Sequence, residues 1–179
     1  MLKKIVIIGP ESTGKSTLCK QLAKHFNSSC VPEFAREFLQ INGAKYDYED
    51  IIIIAEGQLK AEADECNKQS GLNAVSIFID TDLTVIRIWS EFVFNKCDNK
   101  ILTEIAKRSY DLYLLCDIDQ PWVKDELREY PDIESRLKLY QYYKETMISQ
   151  GVPWVEITGS YNERLEKAII ACKKIIRVT

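Results

Sequence analysis

The segment Gly9-Pro-Glu-Ser-Thr-Gly-Lys-Ser16 constrains this chain more than any other stretch. It fits the pattern G-x-x-x-x-G-K-[ST], follows the β-branched run Ile5–Ile8, and leads into Leu18, Leu22 and Phe26 at helical spacing. A strand, a glycine-rich loop and a helix in that order form a cradle for phosphate. The glycines let the chain wrap closely so that backbone N–H groups point inward, and the helix adds the positive end of its dipole. Lys15 can reach the terminal phosphates, and the Ser16 hydroxyl can ligate Mg²⁺. The plainer alternative, a glycine-rich turn with an incidental lysine, does not account for the strand before and the helix after. Gly9, Glu11, Ser12, Thr13, Gly14, Lys15, Ser16 and Thr17 are therefore the candidate nucleotide contacts.

Apolar runs alternate with helical patterns along the rest of the chain. Strands are expected at Ile5–Ile8, 30–32, 75–79, 112–116 and 154–157. Between and after them, helices are expected on the faces Ile51, Ala55, Leu59, Ala63; Val85, Ile88, Trp89, Phe92; Ile133, Leu137, Tyr140, Met147; and Leu165, Ala168, Ile169, Cys172, Ile176. Such alternation implies an α/β fold of three layers, a central parallel sheet of about five strands with helices on both faces. One domain over residues 1–179 is the expected organisation, with the lid at about 119–136. Ligands of such sheets bind beyond the C-terminal ends of the strands.

Composition closes off other classes. His25 is the sole histidine, which excludes a histidine-rich metal site and a Ser-His-Asp hydrolase. A formal net charge of −3 with interspersed signs argues against a nucleic-acid partner. No apolar run approaches a membrane span, so a soluble, cytoplasmic protein is expected. The six cysteines form no C-x-x-C pair and read as unpaired core residues in a reducing compartment.

Two strand ends carry acids. Asp80, with Asp82 close behind, would sit beside the phosphate loop, where it can hold Mg²⁺ directly or through water. Glu33 follows the second strand and would face the phosphates across the cleft, to bind a sugar hydroxyl or take its proton. Either could instead be a helix-capping acid. In the stretch from Asp119 to Arg128, Lys124, Arg128 and the nearby Arg136 are placed where a lid could deliver positive charge to a transferring phosphoryl group. Each could equally be part of a solvated helix face. Trp122 could stack on a ligand ring or simply pack. Thr158–Tyr161, after the fifth strand, is the candidate adenine loop by position. Asn95-Lys-Cys-Asp98 matches the N-K-x-D guanine signature but trails a helix instead of a strand, and reads as coincidence.

Taken together, GPESTGKST, VPEFARE (31–37), FIDTD (78–82) and YDLYLLCDIDQPWVKDELR (110–128) resemble the ribosylnicotinamide kinase domain of the NadR proteins of bacteria, within the AAA_28 group of P-loop proteins. The resemblance covers nearly the whole chain. It implies a P-loop nucleoside/nucleotide-kinase-like fold with a lid, and transfer of the ATP γ-phosphate to the 5′-hydroxyl of nicotinamide riboside, a small-molecule nucleoside, giving nicotinamide mononucleotide. It further implies Lys15, Asp80, Glu33 and Arg128 as catalytic groups, Ser16 and Asp80 as metal ligands, and Glu33, Arg36, Asp80, Trp122 and Asp125 on the acceptor side. It leaves open which of Glu33 and Asp80 is the base. NadR proteins usually carry an N-terminal adenylyltransferase domain as well, and no such segment is found in these residues, so a stand-alone kinase domain is expected. A kinase for another nucleoside or small metabolite, or an ATP-binding regulatory module, are the alternatives.

Overall fold

The β-branched run that precedes the phosphate loop becomes the centre of the sheet. The structure is a computed structural model and describes residues 2–176. Strand β1 (Lys3–Ile8) pairs in parallel with β3 (Ser76–Asp80) on one side and β4 (Leu112–Cys116) on the other; β2 (Cys30–Val31) and β5 (Trp154–Ile157) lie at the edges, giving the order β2-β3-β1-β4-β5. Ile5 to Ile8 are all fully buried. A strand covered on both faces needs apolar residues at every position, and each fully buried side chain of this size stabilises by roughly 1.5–3 kcal/mol.

Alternate residues feed two cores. Ile5, Ile7, Phe78 and Leu114 pack against α1 (Lys15–His25) and α7 (Tyr161–Ile175). Val6, Ile8, Ile77, Ile79 and Leu115 pack against α4 (Leu83–Phe94) and α6 (Ile133–Ser149). A third cluster joins α4 to α3 (Tyr48–Gly71) and α5 (Asn99–Lys107), with α2 (Phe34–Asn42) alongside. The five strands, their parallel direction and the three layers are those expected from the sequence.

Several details differ from the sequence reading. Helices α2 and α5 were not expected: each is only nine residues long, so its apolar repeat spans barely two turns, and α2 buries no residue completely while α5 buries only Ile101. On α3 the inward face runs Ile51, Ile54, Ala55, Gln58, Glu62, and Ala63 is exposed. Two polar residues can occupy that face because both are satisfied. Gln58 bridges the Phe34 N–H and the Pro32 carbonyl, while Glu62 meets Lys4, Arg108 and Tyr110. On α6 Ile133 and Leu137 point to solvent, and the buried face is Arg136, Leu139, Tyr140, Tyr143, Met147. A buried arginine displaced the apparent periodicity.

The cysteine reading needs a correction too. Cys19 on α1 and Cys30 on β2 form a disulfide, brought together because the first crossover folds α1 back over the edge of the sheet. The other four are free, and burial pushes the Cys116 and Cys172 thiols up to about 12. The N-K-x-D look-alike has plain structural work. Asn95 ends α4 in the left-handed conformation, and Asp98 caps α5 through the Lys100 N–H at 2.7 Å. Among the described residues no helix is long and apolar enough to cross a membrane.

Candidate active site

The phosphate loop leaves the end of β1 through Gly9, whose φ of 139° puts the backbone where a Cβ would lie 2.6 Å from the Cys116 carbonyl oxygen. Only glycine fits. Gly14, at φ 81°, precedes α1 with no side-chain cap, so the first N–H groups of the helix remain directed into the loop. The Thr13 hydroxyl and the Lys15 ammonium both donate to the Pro10 carbonyl, at 2.8 and 2.9 Å, holding the lysine across the mouth of the cradle. From the far end of the chain Arg164, almost fully buried on α7, donates to the carbonyls of Thr13 (2.7 Å), Gly159 and Asp117 and to the Asp119 carboxylate. The loop 158–161 thus abuts the P-loop, with Tyr161 against Gly14.

Asp80, the last residue of β3, lies opposite Ile7 and is 2 % exposed. Its carboxyl is pushed up to about 6, by burial first and by the neighbouring Glu33 second, against the opposing pull of Lys15 and the Ser16 hydroxyl. Its Oδ1 oxygen has no hydrogen-bond partner. Asp82, not Asp80, is the capping acid: it accepts from the Thr84 and Val85 N–H groups and from the Tyr113 hydroxyl. Between them Thr81 sits at φ 77°, a costly conformation for a β-branched residue, and lines the cavity. Glu33 stands at the N-cap of α2, yet its side chain makes no capping bond. Its carboxylate is left to the cavity it shares with the P-loop.

The segment after β4 closes over the loop. The Val123 N–H donates to the Ser12 hydroxyl at 2.8 Å, and the Glu129 and Tyr130 N–H groups donate to the Glu11 carboxylate at 3.0 and 3.3 Å. Burial pushes the Glu11 carboxyl up and these two N–H groups oppose it. The Arg128 guanidinium donates to Ser12 and to the Val123 carbonyl, and Arg36 pairs with Asp125 at 2.5 Å, tying the lid to α2. Arg36 and Arg128 line the cavity; Trp122 and Asp125 stand outside it. Trp122 lies between the guanidinium groups of Arg128 and Arg136, with Arg136 also donating to the carbonyls of Ile118 and Gln120. Arg136 therefore fastens the base of the lid from α6, and Lys124 remains exposed.

Beyond the phosphates the cavity is walled by Tyr46, Trp89 and Tyr143, with Glu129 coming in on the lid. The Trp89 indole N–H donates to the Tyr46 hydroxyl at 2.8 Å. Sequence reasoning missed these four and Thr81. Trp89 shares its helical spacing with true core residues of α4, and Tyr46 lies in a short loop with no pattern around it.

A Gly-rich cradle on the central strand, acids at the end of the next strand and a lid over one shared cavity define a P-loop nucleotide-binding protein with a nucleoside-kinase fold. The chain belongs to the AAA_28 family, described as an AAA domain, which matches residues 4–164. It is 26% identical, over 98% of its length, to the trifunctional NAD biosynthesis/regulator protein NadR of Escherichia coli (strain K12), and 23% identical to that of Salmonella typhimurium. It spans 42% and 43% of those two proteins, so less than half of each is represented. Among solved structures, a NadR protein in complex with NR superposes with a TM-score of 0.84 at 25% identity, covering 99% of this chain and 50% of that one. A deoxyadenosine kinase from M. mycoides with bound dATP, at 16% identity and a TM-score of 0.60, covering 96% of this chain and 99% of that one, shares the fold.

Proposed function

We propose that the protein transfers the γ-phosphate of ATP to the 5′-hydroxyl of nicotinamide riboside, giving nicotinamide mononucleotide. The observation that carries this reading is the uncapped Glu33 carboxylate, which opens into one cavity with the P-loop and an aromatic wall. An acceptor lying on Tyr46 and Trp89 would present its sugar to Glu33 and its 5′-oxygen to the phosphate. The similarity to a NadR protein in complex with NR, read as nicotinamide riboside, and to one in complex with NAD and AMP-PNP supports it.

Phosphoryl transfer needs positioning and charge neutralisation more than covalent help. The 5′-oxygen forms its bond to the γ-phosphorus as the bond to the ADP oxygen breaks, and Glu33 orients the hydroxyl and receives its proton. Lys15 and Arg128 neutralise the phosphates, and the closed lid keeps water away. The donor set fits Mg²⁺: the orphaned Asp80 Oδ1 and the Ser16 hydroxyl are hard oxygen donors beside the cradle. When bound, the ion would offset negative charge on the phosphates. Asp80 and Ser16 would hold it, which leaves Glu33 as the base. A cytoplasmic site of action accords with a chemistry that consumes ATP.

The test is to incubate the protein with Mg²⁺-ATP and a panel of nucleosides and to follow ADP release and product mass. Nicotinamide mononucleotide is expected in preference to other products. Preferential phosphorylation of a different nucleoside would replace the substrate, and ATP binding without acceptor-stimulated ADP release would replace the kinase with a regulatory NTPase.

A further inference from the structure

The aromatic end of the cavity holds a carboxylate for which the proposed chemistry has no use. Glu129 lines the cavity from the lid. Its N–H is fixed to Glu11, and the adjacent Tyr130 packs edge-on against Trp89 and Phe92, with ring centroids 5.5 and 5.2 Å apart. The backbone is thus pinned between the P-loop and α4, and the side chain lines the same cavity as Tyr46, whose hydroxyl accepts the Trp89 indole N–H. Burial, first, and the nearby Glu129 carboxylate, second, raise the Tyr46 phenol.

The cations that line the same cavity are engaged elsewhere. Lys15 is on the Pro10 carbonyl, Arg36 is on Asp125, and Arg128 is on Ser12 and the Val123 carbonyl. Among the described lining residues, the acceptor end therefore presents a negative charge beside two electron-rich rings, with no protein cation committed to it. Aromatic faces and a carboxylate together favour a positively charged ring over a neutral one of the same shape.

We propose that Glu129 is a specificity-determining residue that selects acceptors whose ring carries a positive charge, such as pyridinium nucleosides. This rests on the riboside-kinase reading above and adds to it a lid residue that reads charge separately from shape. Because the lid carries Glu129, the selection is set only while the lid is down.

The experiment compares kcat and KM for nicotinamide riboside and for its neutral isostere, benzamide riboside, in the wild-type protein, Glu129→Gln and Glu129→Asp. Glu129 is exposed, so the substitutions leave the core untouched, and a nucleotide-binding titration with ATP checks the P-loop. Wild type should prefer the cation. Glu129→Gln should cut that preference by roughly two- to fivefold, the size of one exposed charge pair, through a raised KM for the cation alone. Glu129→Asp should keep part of it. A preference that survives Glu129→Gln, or a loss shared equally by both acceptors, would overturn the proposal and leave the kinase reading standing. If wild type phosphorylates neither riboside, the riboside-kinase reading fails and this proposal falls with it.

Discussion

The phosphate end and the acceptor end of the cavity are made by different means. At the phosphate end the working groups are mostly backbone, held by Gly9, Gly14 and the start of α1 and braced by Arg164. At the acceptor end they are side chains from α2, the loop before α3, α4, α6 and the lid. A backbone cradle needs a fixed local sequence, because only certain residues permit the path. A side-chain wall needs only that distant segments meet, so its composition can vary while the shape is kept. The comparison teaches that a chain like this declares its nucleotide locally and its acceptor only through the fold.

That division can be broken from either side. The largest effect is expected from Lys15→Ala, which should lower kcat about a thousandfold or more with every acceptor, read as ADP release. A loss confined to one acceptor would show that the two ends are not separable. Asp80→Asn comes next, with a loss of roughly a hundredfold in turnover and, at pH 7, a rise in Tm of a few degrees. The sign follows from the carboxyl at about 6 in the fold against 3.8 when exposed. Between those values the folded state keeps a proton that the unfolded state has released, so stability falls as pH rises through that window and stays lower above it. Activity should fall in the opposite direction, with an acid limb in kcat/KM near pH 6, where Asp80 begins to be protonated. An Asp80→Asn protein that melts lower than wild type at pH 7 would show that the buried carboxylate is not strained by its surroundings. Glu11→Gln should have the smallest effect. It weakens the grip on the Glu129 and Tyr130 N–H groups, raising KM for both substrates about threefold and hastening proteolysis within the lid. Unchanged proteolysis would mean that Ser12 and Arg36 hold the lid without Glu11.

The same contrast explains what could be read in advance. The order of strands and helices, the P-loop, and the placing of Asp80 and Glu33 beside it all follow from local pattern and the handedness of crossovers. Helix α2 was hidden because it is a short, half-exposed strap, and the buried faces of α3 and α6 were misplaced because Gln58, Glu62 and Arg136 are polar residues satisfied by partners far along the chain. Tyr46, Trp89, Tyr143 and Glu129 acquire a shared role only when α4, α6 and the lid converge. No spacing within one segment encodes that meeting. Trp122 invited attention as an aromatic in a polar stretch, but lies outside the cavity between two arginines.

Arg164 gives the cradle a place in time as well as in space. The Thr13 carbonyl that it holds is 151 residues earlier in the chain. At about 5–20 residues per second, the ribosome makes the loop roughly 8–30 s before it makes the arginine. Through that interval the nascent chain carries every residue of its nucleotide motif and lacks the group that steadies it. The ability to grip a nucleotide firmly is therefore acquired only once α7 has been made and docks beside α1.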